Sequence, residues 1–143
     1  MTQVKDKTDQ QLNRVLAELM GYTIYHYDKD VAERCYFELT APDGYPEIVF
    51  GGERNTELEA WADVPNYCND PAASLEVQTK AIEANKLIYL NALLSLVSPG
   101  EDIQFGLGGS MEVVGYNIDG TSAMLNASPR ERAEAAYITL QGE

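Results

Sequence analysis

One histidine, His26, and two cysteines, Cys35 and Cys68, are all that this chain offers toward soft metal ligands. A structural zinc takes about four Cys or His side chains, so zinc is excluded as the organiser of the fold. Neither cysteine belongs to a CxxC pair. A cytosolic chain keeps such thiols reduced, the alternative being one disulfide between them. No apolar run approaches the roughly 18 residues that span a bilayer. Residues Met1 to Gln11 are polar and charged, unlike a secretory signal. Basic residues are scarce: 10 Lys and Arg against 23 Asp and Glu give a formal charge of −13. Such a surface repels phosphate backbones, so a nucleic-acid polymer is not an expected partner, and solubility is the plainest use of the charge. The chain has no Walker A loop, no GxSxG elbow and no HExxH. No catalytic residue, metal ligand set or cofactor motif is therefore expected, and the chain reads as a non-enzyme.

What is present is a 143-residue chain with 45% apolar residues, enough for one domain, 1–143, with a real core. Leu12, Val15, Leu16 and Leu19 recur at helical spacing, with Thr8 or Asp9 as cap and Gly21 where a left-handed terminator belongs. Tyr22 to Tyr27 and Arg34 to Thr40 are aromatic and β-branched, hence strands. Pro42, Asp43 and Gly44 signal a turn, and Glu47 to Phe50 reads as a third strand. These connections are too short for crossovers, so the strands are expected to run antiparallel. Glu53 to Trp61 fits a short helix or a loop equally well.

Asp70 and Pro71 suit an N-cap and first helical position, and Ala72, Leu75, Val77, Ala81 and Ile82 supply the apolar positions that follow. Asn85 to Val97 is leucine-rich without interior Gly or Pro, which favours helix over strand. Further on, Asp102 to Leu107 and Met111 to Tyr116 read as strands around a loop with Gly106, Gly108 and Gly109. Asn117 to Gly120 is expected to turn the chain into a returning strand, Thr121 to Leu125, since Asp-Gly is a common hairpin dipeptide. Ser128, Pro129 and Glu131 form a capping-box start for a last helix, Pro129 to Leu140. The expected class is α+β: a mostly antiparallel sheet between helices, a three-layer α-β-α arrangement.

Three short stretches in order carry a resemblance. They are Leu12 to Glu18 with Met20, Gly21 and Tyr22; Val64 to Tyr67 through Asp70 to Ala73; and Asp119 and Gly120 followed by Ala127 to Ala133. Together they resemble the phage alpha-beta-alpha sandwich domain family, which includes NinX-like phage proteins. The resemblance implies a phage or prophage source, the host cytoplasm and the three-layer fold. The last helix departs from the pattern at Glu134, where many relatives carry a basic residue. The same architecture looks like that of Thoeris anti-defence proteins, which sequester cyclised ADP-ribose signals without cleaving them.

Several residue groups have chemistry to offer. Arg130 and Arg132 lie in the first turn of the last helix, where free N–H groups and the positive dipole end favour an anion. Pairing with Glu131 or Glu134 is the plain alternative. Asn66 and Tyr67 offer a polar and a stacking wall. His26, among alternating aromatics, reads as an ordinary sheet residue, and Asp28 and Asp30 as a solvated turn. The leading expectation is a phage accessory protein, a homo-oligomer, that binds a small nucleotide-derived immune signal through Arg130, Arg132, Asn66 and Tyr67. The alternative is an acidic inhibitor that blocks a host nucleic-acid-binding enzyme.

Overall fold

The structure, a computed structural model, describes residues 3–28, 35–43, 52–99 and 118–142. The chain is α+β. A single 3-10 turn, Val4–Asp6, leads to α1, Asp9–Leu19. Thr8 starts α1 with a full capping box: its Oγ1 accepts from the Gln11 N–H at 3.1 Å, and Gln11 Oε1 accepts from the Thr8 N–H at 2.9 Å. Leu12, Leu16 and Ala17 face the core. Gly21 ends the helix at φ +99°, and a Cβ there would also meet Pro42 Cβ at 3.3 Å, so glycine answers two demands at once.

Strands β1, Thr23–Tyr27, and β2, Tyr36–Thr40, pair antiparallel with Ile24 opposite Leu39 and His26 opposite Phe37. Leu39 is buried, which sets the inner face of the hairpin. Across the pair, the His26 ring stacks on Phe37 at 4.5 Å and Tyr27 stacks on Tyr36 at 4.4 Å. Such cross-strand aromatic pairs contribute about 0.2–1 kcal/mol each. His26 is therefore an exposed sheet residue occupied with packing. Arg54 bridges to Phe37 through two backbone bonds of 2.8 Å, and its guanidinium grips Asp63 bidentately at 2.7 Å per bond. The stretch left open as helix or loop contains α2, Glu57–Trp61, capped by Thr56.

Helix α3, Pro71–Val97, starts where the sequence places it, with Asp70 Oδ1 accepting from the Ala72 N–H at 3.0 Å and Pro71 in the first turn. The backbone breaks at Asn85, with φ −161° and ψ 93°. Asn85 Oδ1 accepts from the Ile88 N–H at 3.1 Å, so this side chain caps a second arm, 86–97, inside the same element. Two helices meeting at an internal cap explain why the apolar pattern changes near this position. A cap of this kind contributes about 1 kcal/mol.

The expected returning strand is wrong. Residues Ile118–Leu125 form helix α4, and Asp119 and Gly120 lie within its first turns instead of making a hairpin. Thr121, Met124 and Leu125, at i, i+3 and i+4, line one cleft against α3. That helical spacing decides the outcome over local β-propensity, which is weak and context-dependent. The expected strands at 47–50, 102–107 and 111–116 and the glycine loop at 106–109 lie outside the described residues.

Helix α5, Pro129–Leu140, has the expected capping box between Ser128 and Glu131. Its buried residues, Ala133, Glu134, Ala135, Ala136, Thr139 and Leu140, leave no solvent face at its middle. It is the central helix, packed mainly on α3 and also on α1. Small alanines let the neighbouring helices approach it closely. Among the described residues, the sheet has two strands, and no helix is long and apolar enough to cross a membrane.

Candidate binding clefts flanking the central helix

The two arginines at the start of α5 face different surroundings. Arg130 turns toward α1 and the N-terminal 3-10 turn. Its Nε donates to Glu134 Oε1 at 2.8 Å, and Nη1 donates to Asp9 Oδ1 at 2.8 Å. Nη2 donates to the carbonyls of Lys7 at 2.7 Å and Val4 at 3.2 Å. A guanidinium offers five N–H donors in a fixed fork, and here the protein's own oxygens engage all three nitrogens. Arg130 thus staples three segments distant in sequence. Its anionic partner is the half-exposed Asp9 on one side and the nearly buried Glu134 on the other. Glu134 is the staple's inner anchor.

Arg132 turns toward α3. Its Nη1 donates to the buried Ser74 Oγ at 3.2 Å. From there it lines a cleft of about 330 Å³ between the two arms of α3, helix α4 and the start of α5. The walls are Leu75, Ile82, Leu90, Leu93, Met124 and Leu125, with Gln78, Tyr89 and Thr121 as polar points. No described carboxylate lines it, in a chain of net charge −13. Tyr89 is 1% exposed, and its hydroxyl donates to Gln78 Oε1 at 2.7 Å, from the second arm of α3 to the first.

Tyr67 is also 1% exposed. Its ring belongs to the core and offers no stacking face at the surface. Burial pushes its phenol well above the ordinary tyrosine range, aided by the neighbouring Tyr22 and Glu76. Asn66 is exposed and lies elsewhere, in a polar cleft of about 280 Å³ with Asp9, Gln10, Asn13, Trp61 and Asn69. The four residues singled out from sequence are therefore not one site. Arg130 and Tyr67 are internal, Arg132 faces the apolar cleft, and Asn66 faces the polar one. Gln78, Tyr89 and Thr121 were missed because their cleft depends on α4 being a helix. Asn13 and Asn69 were missed because nothing local marks a surface carboxamide as converging with others.

Cys68 sits beneath the Arg130 staple, with Nη1 of Arg130 at 3.9 Å from Sγ. Burial pushes its thiol up to about 11, and the Arg130 charge opposes that only in part. Among the described residues, no three His, Cys, Asp or Glu side chains are grouped to hold a metal ion.

The raised thiol has a consequence for alkaline stability. An unfolded thiol ionises near pH 9, while folded Cys68 keeps its proton to about pH 11. Ionisation therefore favours the unfolded chain, and stability is expected to fall as pH rises through the window from 9 to 11. The urea midpoint followed from neutral pH to pH 11 checks this, with Cys68→Ala flattening the part below pH 10. A wild-type midpoint that stays level from pH 9 to 10 contradicts it.

Comparison of the chain with family models, with curated proteins and with solved structures gives no match.

Proposed function

We propose that this protein is a non-enzymatic binding protein that sequesters a small nucleotide-type signal, with the ligand's phosphate on Arg132. The observation that carries the reading is Arg132 in the lining of a mostly apolar cleft that holds no other charged side chain among the described residues. Apolar walls accept a flat base, while Gln78 and Thr121 provide hydrogen-bonding points for its edges. A cleft of about 330 Å³ lies within the roughly 300–1,000 Å³ of small-molecule sites.

The rest of the reading follows the family resemblance: a phage accessory protein with a three-layer α-β-α fold, acting as a homo-oligomer in the host cytoplasm. The β1–β2 hairpin supports the sheet layer. Leu58 and Tyr25, both more than half exposed, supply apolar surface for contact between copies.

Calorimetry with cyclic ADP-ribose isomers and cyclic oligonucleotides tests this. One of them is expected to bind, and Arg132→Gln is expected to weaken it tenfold or more, since a charge-assisted bond to phosphate contributes about 1.5–3 kcal/mol. Heat denaturation of the complex should release the ligand intact. Absence of binding by every compound defeats the proposal, and recovery of a cleaved ligand defeats its non-enzymatic part.

A further inference from the structure

Taking the Arg132 cleft as the nucleotide site proposed above, we infer that Gln78, fixed by Tyr89 as a hydrogen-bond donor, selects a 6-oxopurine base over a 6-aminopurine. Leu75, Gln78 and Ile82 recur at i, i+3 and i+7 on the first arm of α3, and all three line the cleft. Gln78 is thus the polar point on a side of the arm that is otherwise apolar there. Across the break at Asn85, the Tyr89 hydroxyl donates to Gln78 Oε1 at 2.7 Å. Tyr89 and Arg132 line the same cleft, so the head group of Gln78 is held beside both.

The direction of that bond follows from charge. A tyrosine hydroxyl can donate or accept, so by itself it does not decide which end of a carboxamide it meets. Arg132 supplies the decision. Burial pushes the Tyr89 phenol above the ordinary tyrosine range, and the Arg132 charge nearby opposes that. A guanidinium has donors only, so it draws the phenol's lone pairs toward itself and turns the O–H away, onto Oε1. Tyr89 is buried, which leaves the amide oxygen facing inward and Nε2 at the opposite end of the head group. Nε2 has no protein partner, yet among the described residues Trp61 Nε1 is the one buried side-chain N or O left unpaired. Nε2 is therefore reachable by solvent, with both of its N–H groups free.

That arrangement chooses between purines. A 6-oxopurine sets two acceptors side by side, N7 and O6, and suits a group that offers donors. A 6-aminopurine sets its own N6 donors beside N7, so one N–H faces another. A carboxamide free to turn over can read either base, donating to one and both donating to and accepting from the other. Gln78 loses that freedom while Tyr89 holds its oxygen. The apolar walls accept either ring and do not discriminate. Tyr89 acts here through Gln78, as a positioning residue.

Calorimetry of the full chain with cyclic GMP, cyclic IMP and cyclic AMP tests this, since the three share ribose and phosphate and differ only at the base. Cyclic GMP and cyclic IMP are expected to bind alike, and cyclic AMP about tenfold more weakly, the effect of one well-formed set of bonds to a base edge. Tyr89→Phe keeps the ring and frees Gln78 to turn over, so cyclic AMP should bind it more tightly than it binds the wild type. The preference should shrink accordingly. A purely structural role for Tyr89 would weaken all three ligands together and leave their ratio alone. Gln78→Ala should abolish the preference too, by lowering both oxopurines toward cyclic AMP. Equal binding of cyclic AMP and cyclic GMP by the wild type overturns the inference and leaves the nucleotide reading standing. So does cyclic IMP binding as weakly as cyclic AMP, which assigns the preference to the 2-amino group, or a ratio that either variant leaves unchanged. Binding of none of the three overturns it as well, and the wider ligand series above then decides the nucleotide reading separately.

Discussion

Replacing Arg130 by alanine is expected to destabilise the protein by about 3–5 kcal/mol, the range for removing one partner of a buried ion pair. The guanidinium satisfies Glu134, Asp9 and the carbonyls of Val4 and Lys7 together. Asp9 can turn to water, being half exposed, so its loss contributes little. Glu134 has no such escape: it lies in the middle of α5, nearly buried, and without Arg130 it must either protonate or draw water into the core. The largest part of the loss is expected from this one carboxylate. Arg130→Lys should recover only a fraction, because an ammonium cannot span four oxygens arranged for a planar fork. Arg130→Met with Glu134→Leu should recover more, since an apolar pair of similar volume removes the stranded charge. Urea unfolding of the four proteins decides it. A shift below about 1 kcal/mol for Arg130→Ala would show the staple to be a surface contact of the ordinary kind. As domain stabilities run at about 5–15 kcal/mol, the expected loss brings this variant close to unfolding.

Tyr89→Ala is expected to cost a similar amount, about 3–5 kcal/mol, as for other large aromatics removed from a core. Tyr89 sits on the second arm of α3, just past the break at Asn85, and belongs to the main cluster of buried residues. It acts in two separable ways. Its ring fills the space between the arms and α5, and its hydroxyl ties the second arm to Gln78 on the first. Tyr89→Phe keeps the ring and is expected to cost only about 1 kcal/mol, the net value of one hydrogen bond, plus whatever Gln78 loses. The difference between the two variants measures how much of the brace is packing. Equal losses for Phe and Ala would mean that the Gln78 bond, and not the ring, holds the two arms together. The ring also forms part of the Arg132 cleft, so Tyr89→Ala should enlarge it and weaken any ligand that depends on its apolar wall.

The helix starts were legible because capping is local chemistry. Thr8 with Gln11, Asp70 with Pro71, and Ser128 with Glu131 each satisfy free N–H groups within one turn, so the residues that do it are neighbours in sequence. The β1–β2 pair was legible for a similar reason: alternating aromatic and β-branched residues close together leave few other pairings. Helix α4 was not. Its eight residues, taken alone, hold Asp-Gly, Thr and Ser, which suit a hairpin. Only the surface offered by Leu75, Ile82 and Leu90 on α3 makes a helix, with Thr121 and Met124 partly buried on the side that faces it, the better arrangement. The break at Asn85 was hidden too, because an asparagine cap inside a run of good helix formers leaves no Gly or Pro to mark it.

The functional residues divide along the same line. That Arg130 and Arg132 cannot serve one anion side by side is a matter of helix geometry alone: positions i and i+2 point about 200° apart at 3.6 residues per turn. The expectation that both bind one signal together runs against this geometry. Which of the two becomes the internal staple and which is left at a cleft depends on what packs against each side of α5. On one side stand the N-terminal carbonyls and Asp9, which engage Arg130 with a ring of oxygens. On the other stands α3, whose apolar surface gives Arg132 only Ser74 among the described residues and leaves the rest of its donors facing the cleft. Asn66 and Tyr67, adjacent in sequence, part in the same way, one to a surface cleft and one to the core. Adjacent residues share a local conformation, but burial is decided by chain segments that arrive from elsewhere, and those are set by packing.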